Sequence, residues 1–299
     1  MTAITAKTTN TRSITSLDYQ SFISYLDVTD KSRNTYITGI KKLAEYLTGN
    51  GITSPTRADI LAYKKYLADT YKPTTAQLYI VCCKMFFSWL DLMGYYDNVA
   101  EHIKGVKLDR EHKKDCLNTD QVKHIISTIT NKRDKALFVL MVACGLRTSE
   151  VAKANVEDLR QAGNKTVLQI QGKGKTEKAD FVIIPPLVEN AIREYLADRN
   201  SDSNALFESR SNHTNGRITA VSISRIIKGI MQRAGYNSDR LTAHSLRHTA
   251  VTLALLNGQK LEAVQQFARH ANVNTTMIYV HTLDKLENDC SSTIADSLK

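Results

Sequence analysis

The chain lacks any apolar run near the roughly 18 to 20 residues that a membrane-spanning helix needs. Its longest such run, Ala136 to Cys144, is about half that length and predicts a buried helix. The first residues carry no apolar core of the kind a secretory signal has, so a cytoplasmic protein is expected. Cysteine is sparse and unpatterned. The five residues, Cys82, Cys83, Cys116, Cys144 and Cys290, are odd in number and contain no Cys-x-x-Cys pair. That pattern argues against a disulfide framework and against a structural zinc site. Cys144, inside the apolar run, reads as a small buried hydrophobe. No Lys/Arg-rich amphipathic helix with an aromatic face favours a lipid surface as partner. Clustered acids, which a metal-dependent nuclease needs, are also missing from the segments discussed below.

What is present is basic charge. Lys and Arg number 40 against 30 Asp and Glu, a formal net charge of +10, with a pI near 9.3. Such a surplus attracts polyanions and makes nucleic acid the first partner class to test. The 299 residues, 42% hydrophobic, suit two domains with ordinary cores.

Residues 1 to about 15 are Thr-rich and polar and predict a loose arm. Helical periodicity then dominates. Ser32 is a plausible cap for a helix with Tyr36, Ile37, Ile40, Leu43, Ala44 and Leu47 on one face, stopped by Gly49-Asn50-Gly51. Residues 56–69 predict a second helix. Pro73 breaks the chain, and a third, longer helix runs from Thr74 or Thr75 towards Gly94. Residues 104–116, KGVKLDREHKKDC, have linker composition. The expected division is therefore an arm (1–15), an all-helical domain (16–103), a linker (104–116) and a second domain (117–299). The second opens with helices at 119–129 and 134–144. Gly145 allows a tight turn and Thr148 can cap the next helix. Two short strands, 166–170 and 181–184, flank the basic loop GKGKTEKAD and predict a β-hairpin. Helices follow at 187–198, 219–235, 243–257, 260–270 and 274–288. The fold class is mainly α with a small β-sheet.

Breaking a DNA phosphodiester without a metal needs fixed cations on the non-bridging oxygens, an in-line nucleophile, and a proton for the leaving 5′ oxygen. Candidates for each part exist. In CGLRTSE, Arg147 follows a glycine turn at a helix start, and Glu150 lies three residues on, where it can orient the guanidinium. In AHSLRHT, His244 and Arg247 are spaced i, i+3 and project to one side, with His248 directed elsewhere. The hairpin loop carries Lys173, Lys175 and Lys178, any of which could serve as general acid. In ARHANVNTTMIYVH, His270 precedes Tyr279, a phenol that nearby cations would activate, on a helix capped by Thr275 or Thr276. Taken singly, these segments read more readily as ordinary structure: a surface Arg–Glu pair, a capping or core histidine with a surface arginine, a solvated basic turn, an interface or core tyrosine.

Taken together, in the order Arg, hairpin Lys, His-x-x-Arg, His, Tyr, with spacings of 26, 71, 23 and 9 residues, they resemble the tyrosine recombinase (phage integrase) family. Its Xer-like and transposon-integrase group fits best by size and by the GKGK hairpin. The resemblance implies a SAM-like, all-α core-binding domain over 16–103 and a mixed α/β catalytic domain over 117–299. Arg147 and Arg247 would hold the scissile phosphate, and His244 and His270 would support it. Lys173 would protonate the leaving oxygen, with Lys175 two residues away as the alternative. Tyr279 would form a covalent 3′-phosphotyrosine. No metal and no ATP would be required. The family acts on double-stranded DNA sites as a homotetramer through a Holliday junction, with a C-terminal tail exchanged between neighbours and, in some systems, DNA-bending accessory proteins. A nucleoid-associated location follows. Lys31, Arg33, Lys72, Thr75 and Lys84 are weaker candidates for phosphate contacts that position rather than specify. The chain departs from the family where Ala268-Arg269-His270 replaces the usual Leu-Gly-His. Arg269 there either reshapes the phosphate pocket or adds a DNA contact. The rival readings are a type IB topoisomerase, a non-catalytic DNA-binding module and a metal nuclease.

Overall fold

The structure is a computed structural model that describes residues 12–108, 115–172, 177–199, 201–209, 216–287 and 290–298; side chains of 281–293 are outside the described set. The chain divides into two compact units, Met1–Glu111 and His112–Lys299.

Among the described residues the first unit has four helices: α1 (Ser16–Tyr25), α2 (Asp30–Gly49), α3 (Arg57–Thr70) and α4 (Pro73–Leu92). α1 lies where the sequence predicts no separate helix. It is short, and Thr15 and Asp18 supply its cap: Asp18 accepts from the Thr15 backbone and hydroxyl at 2.8 and 3.0 Å. α2 starts earlier than expected, because Thr29 rather than Ser32 is the cap and accepts from the Ser32 N–H. Pro73 begins α4 instead of merely breaking the chain. Proline suits the first helical position, where its missing N–H would have no partner. α4 is the central element, burying Ile80, Cys82, Cys83, Phe86, Phe87 and Leu90 against Phe22, Leu43, Ile60 and Leu67.

The second unit opens with α5 (Thr119–Thr128) and α6 (Lys132–Cys144). α6 is apolar around its whole circumference from Ala136 to Val142 and is buried throughout, as a helix enclosed on all sides must be. It ends at Gly145, whose φ of +59° turns the chain sharply. α7 (Thr148–Lys153) follows. The residue at its cap position is Arg147 rather than Thr148, because the Glu150 carboxylate reaches back to accept the Arg147 N–H at 2.8 Å.

A three-stranded antiparallel sheet comes next, β1 (Leu159–Ala162), β2 (Lys165–Ile170) and β3 (Asp180–Ile184), in the order β1-β2-β3. The expected hairpin is its β2–β3 pair, in register Val167↔Ile183 and Leu168↔Val182. β1 escapes a reading by alternation because Leu159 is its one large apolar side chain and its other residues are exposed. Leu168, Ile170, Val182 and Ile184 turn inward. Five helices complete the unit up to residue 287: α8 (Pro186–Asp198), α9 (Ala220–Arg233), α10 (Ala243–Leu256), α11 (Leu261–Ala268) and α12 (Asn274–Glu287); α13 (Cys290–Ser297) lies at the C-terminal end. α6 packs on α8, α9 and α10, so the Gly145 turn emerges beside α10. Among the described residues no helix is long and apolar enough to cross a membrane.

Candidate active site

The site forms where the C-terminal ends of α6 and α11 meet α10. Arg247, buried on α10, donates from Nη1 to the Gly145 carbonyl at 2.6 Å and from Nη2 to the Ala268 carbonyl. Both acceptors are the last carbonyls of helices, which lack partners inside their own helix and carry the negative end of its dipole. The guanidinium is thus fixed by main-chain oxygens, and among the described residues no carboxylate forms an ion pair with it, although Glu150 is near enough to favour its charge. Burial, with Arg147 and Arg269 nearby, pushes its pKa down to about 9, which leaves it cationic at neutral pH.

Arg147 is held differently. Its Nη1 donates to Glu150 Oε1 at 2.7 Å, while Glu150 Oε2 takes both the Arg147 N–H and Arg269 Nη2, at 2.8 and 3.0 Å. Glu150 is 1% exposed. A buried carboxylate keeps its charge only with such partners. Arg147 lines two cavities. One, of about 760 Å³, also includes Thr148, Arg225, Thr242 and His244. The other, of about 550 Å³, includes Glu150, Gly172, Asp180, Arg269 and His270.

His270 follows α11, with Nδ1 2.9 Å from the Thr276 hydroxyl. Thr276 is therefore a partner of this ring rather than a cap. Burial first, then Arg247, Arg147 and Arg269, push the His270 pKa down to about 4. His244 is exposed, and its ring meets His248 edge-on with centroids 4.5 Å apart.

Tyr279, on α12, is 6% exposed and packs on Val251, Val264 and Ala268. Its hydroxyl is hydrogen-bonded to His248 Nδ1. Burial raises the phenol pKa and the Cys116 thiol adds to that, while Arg247 lowers it. The expectation that His248 points away is overturned. His244 and His248 are spaced i, i+4, which places them one turn apart on the same face, and that spacing is the signal the helical reading missed.

The remaining candidates separate. Lys173 and Lys175 lie outside the described residues. The third hairpin lysine, Lys178, forms an ion pair with the buried Asp158. In the first unit, Arg33 donates to the carbonyls of Ile23 and Leu26 at 2.7 and 2.9 Å, and Lys84 to that of Ile103 at 2.9 Å, so these donors help hold their own fold. Lys31 and Lys72 are exposed and Thr75 is half-buried. Among the described residues no group of three or more His, Cys, Asp or Glu side chains is placed to hold a metal ion.

Comparison with known proteins follows this geometry. Residues 115–285 match the model of the phage integrase family. A tyrosine recombinase XerA of Pyrococcus horikoshii is 29% identical over 267 residues, covering 89% of each chain. A tyrosine recombinase XerC of Herpetosiphon aurantiacus is 30% identical over 285 residues, covering 88% of this chain and 89% of its own. The fold matches the crystal structure of the XerH site-specific recombinase in its post-cleavage complex with palindromic difH substrate, at a TM-score of 0.72 and 21% identity, over 89% of this chain and 80% of that one.

Proposed function

The chain belongs to the phage integrase family as a site-specific tyrosine recombinase of the Xer and integrase type, and from that premise we propose how its residues share the work. Arg147 and Arg247 grip the non-bridging oxygens of the scissile phosphate. The observation that carries this reading is Arg247, buried yet held by two backbone carbonyls instead of a carboxylate. A cation arranged so is ready for an anionic ligand. His270, neutral beside three arginines, hydrogen-bonds the same phosphate, and His244, which lines the adjoining cavity, supports it too.

Tyr279 Oη attacks phosphorus, the P–O5′ bond breaks, and the 5′ oxygen takes a proton from Lys173 or Lys175. The phenol proton passes to its neighbour His248. The product is a 3′-phosphotyrosine bond and a free 5′ hydroxyl. Attack by the 5′ hydroxyl of a partner strand reverses these steps and completes exchange. The ester linkage conserves the bond energy, so no ATP is needed, and the fixed cationic side chains take the charge-stabilising part a metal would otherwise play. A homotetramer on two double-stranded DNA sites, exchange of the C-terminal tail and DNA-bending accessory proteins belong to the same proposal. So do a core-binding role for the first unit and a nucleoid-associated location. Lys31, Lys72 and Thr75 are its proposed phosphate contacts.

The test is a nicked duplex site incubated with the protein in EDTA. A covalent protein–DNA adduct is expected, and it should vanish in Tyr279→Phe. An adduct that persists in that variant, or one that forms only with added metal, rejects the mechanism.

A further inference from the structure

Arg269 stands where a side chain is disfavoured. It terminates α11 with φ of +52°, its N–H returning to the carbonyls of Gln265 and Gln266. Glycine is favoured at this left-handed position because any Cβ crowds the backbone. Among the described residues it shares positive φ, glycines apart, with His102 alone. Strain of this kind persists where surrounding contacts hold it.

Those contacts are specific. The guanidinium is about nine-tenths buried. One nitrogen, Nη1, donates to the Phe267 carbonyl at 2.8 Å. The other, Nη2, donates both to Glu150 Oε2 at 3.0 Å and to the Gly145 carbonyl at 3.2 Å. The first of these acceptors also orients Arg147, and the second also fixes Arg247. Nε is buried with no partner among the described residues. A lone side chain thus bridges the two supports on which the phosphate arginines rest. The fork matters, since a planar guanidinium can meet carbonyl and carboxylate together whereas an ammonium presents a single point charge.

We propose that Arg269 is a positioning residue for phosphate binding: it shares Glu150 with Arg147 and the Gly145 carbonyl with Arg247, locking both guanidiniums in register and adding a third positive charge beside them. The inference rests on the phosphate site proposed above. With Arg269 in place, Glu150 divides its charge between two arginines, and Arg147 keeps more of its own for the ligand. Without it, Glu150 holds Arg147 alone, and the Gly145 carbonyl is tethered by a single donor.

The experiment uses the full chain and inorganic phosphate as probe, read by NMR at the His270 ring, with melting temperature in parallel. Phosphate should shift the wild-type His270 resonances. Arg269→Gly should weaken phosphate binding by about ten-fold and melt below the wild-type temperature while staying folded, since losing a cationic partner of the buried Glu150 outweighs the left-handed strain that glycine relieves. Arg269→Lys, which keeps the charge but not the fork, should bind more weakly than the wild type and more tightly than the glycine variant. Burial, the main cause of the lowered His270 pKa, and the facing Arg247, Arg147 and His244 remain in Arg269→Gly, so the His270 titration should move only part of the way towards that of a free histidine. Wild-type affinity in Arg269→Gly overturns the proposal, as does full affinity in Arg269→Lys, which would make charge alone sufficient. A wild-type chain whose His270 ring ignores phosphate instead rejects the phosphate site itself, and the role of Arg269 with it.

Discussion

Replacing Glu150 by Gln should unfold the second unit at a distinctly lower temperature while leaving its shape intact. The carboxylate is buried and accepts three hydrogen bonds, from the Arg147 backbone, the Arg147 guanidinium and Arg269. Two of the donors are cationic. Glutamine offers one oxygen, and its amide N–H₂ must then face an arginine N–H, donor against donor. Both guanidiniums lose their anion, and that of Arg269 does so in a nearly dry site. Removing one partner of a buried ion pair costs about 3 to 5 kcal/mol. For a unit of this size each kcal/mol corresponds to roughly 2 to 4 °C, so the low end of that cost lowers the melting temperature by roughly 6 to 12 °C. Differential scanning calorimetry of the full chain reads this directly. A shift smaller than about 2 °C would show that Glu150 is not holding charged partners, and the account of how Arg147 is fixed would fail with it.

Other outcomes follow from the same geometry. Gly145→Ala puts a Cβ at a φ of +59° and 3.1 Å from the Phe267 ring; a loss of about 1 to 2 kcal/mol and slower cleavage are expected, and wild-type stability by urea denaturation would refute the strain. His270 is held neutral by the fold, with a pKa near 4, so the unfolded chain binds its proton first as pH drops. Stability from this group is complete above about pH 6.5 and is lost progressively down to pH 4. His270→Asn should flatten that part of the stability–pH curve, and an unchanged slope would exclude the histidine as its source. Lys173→Ala should slow cleavage and regain speed on a 5′-thio leaving group, which needs no proton; absence of rescue points to Lys175.

The sequence made the polar anchors of the site readable and hid how they are supported. Arg147 with Glu150, and His244 with Arg247, follow from helical spacing. Arg247's own ligands, the carbonyls of Gly145 and Ala268, are main-chain atoms from distant turns, and no side-chain pattern announces them. The i, i+3 pairing of His244 with Arg247 directs His248 elsewhere, yet the i, i+4 spacing on the same helix places it beside His244. Arg269 stood out only as a departure from glycine; its left-handed backbone explains why glycine is the usual choice there. β1 was missed because exposed edge residues such as Arg160 and Gln161 carry no hydrophobic alternation.

Arg247 is moored to oxygen atoms that every amino acid carries, so what positions 145 and 268 must supply is the path of the chain rather than a particular polar group, glycine's left-handed freedom at 145 being part of that path. Tolerance to point changes and tolerance to changes of length should therefore part company here. Adding or removing a single residue in either turn would swing a carbonyl away and leave the guanidinium without a berth. Drift within the lineage is expected to alter letters in these loops far more readily than their lengths.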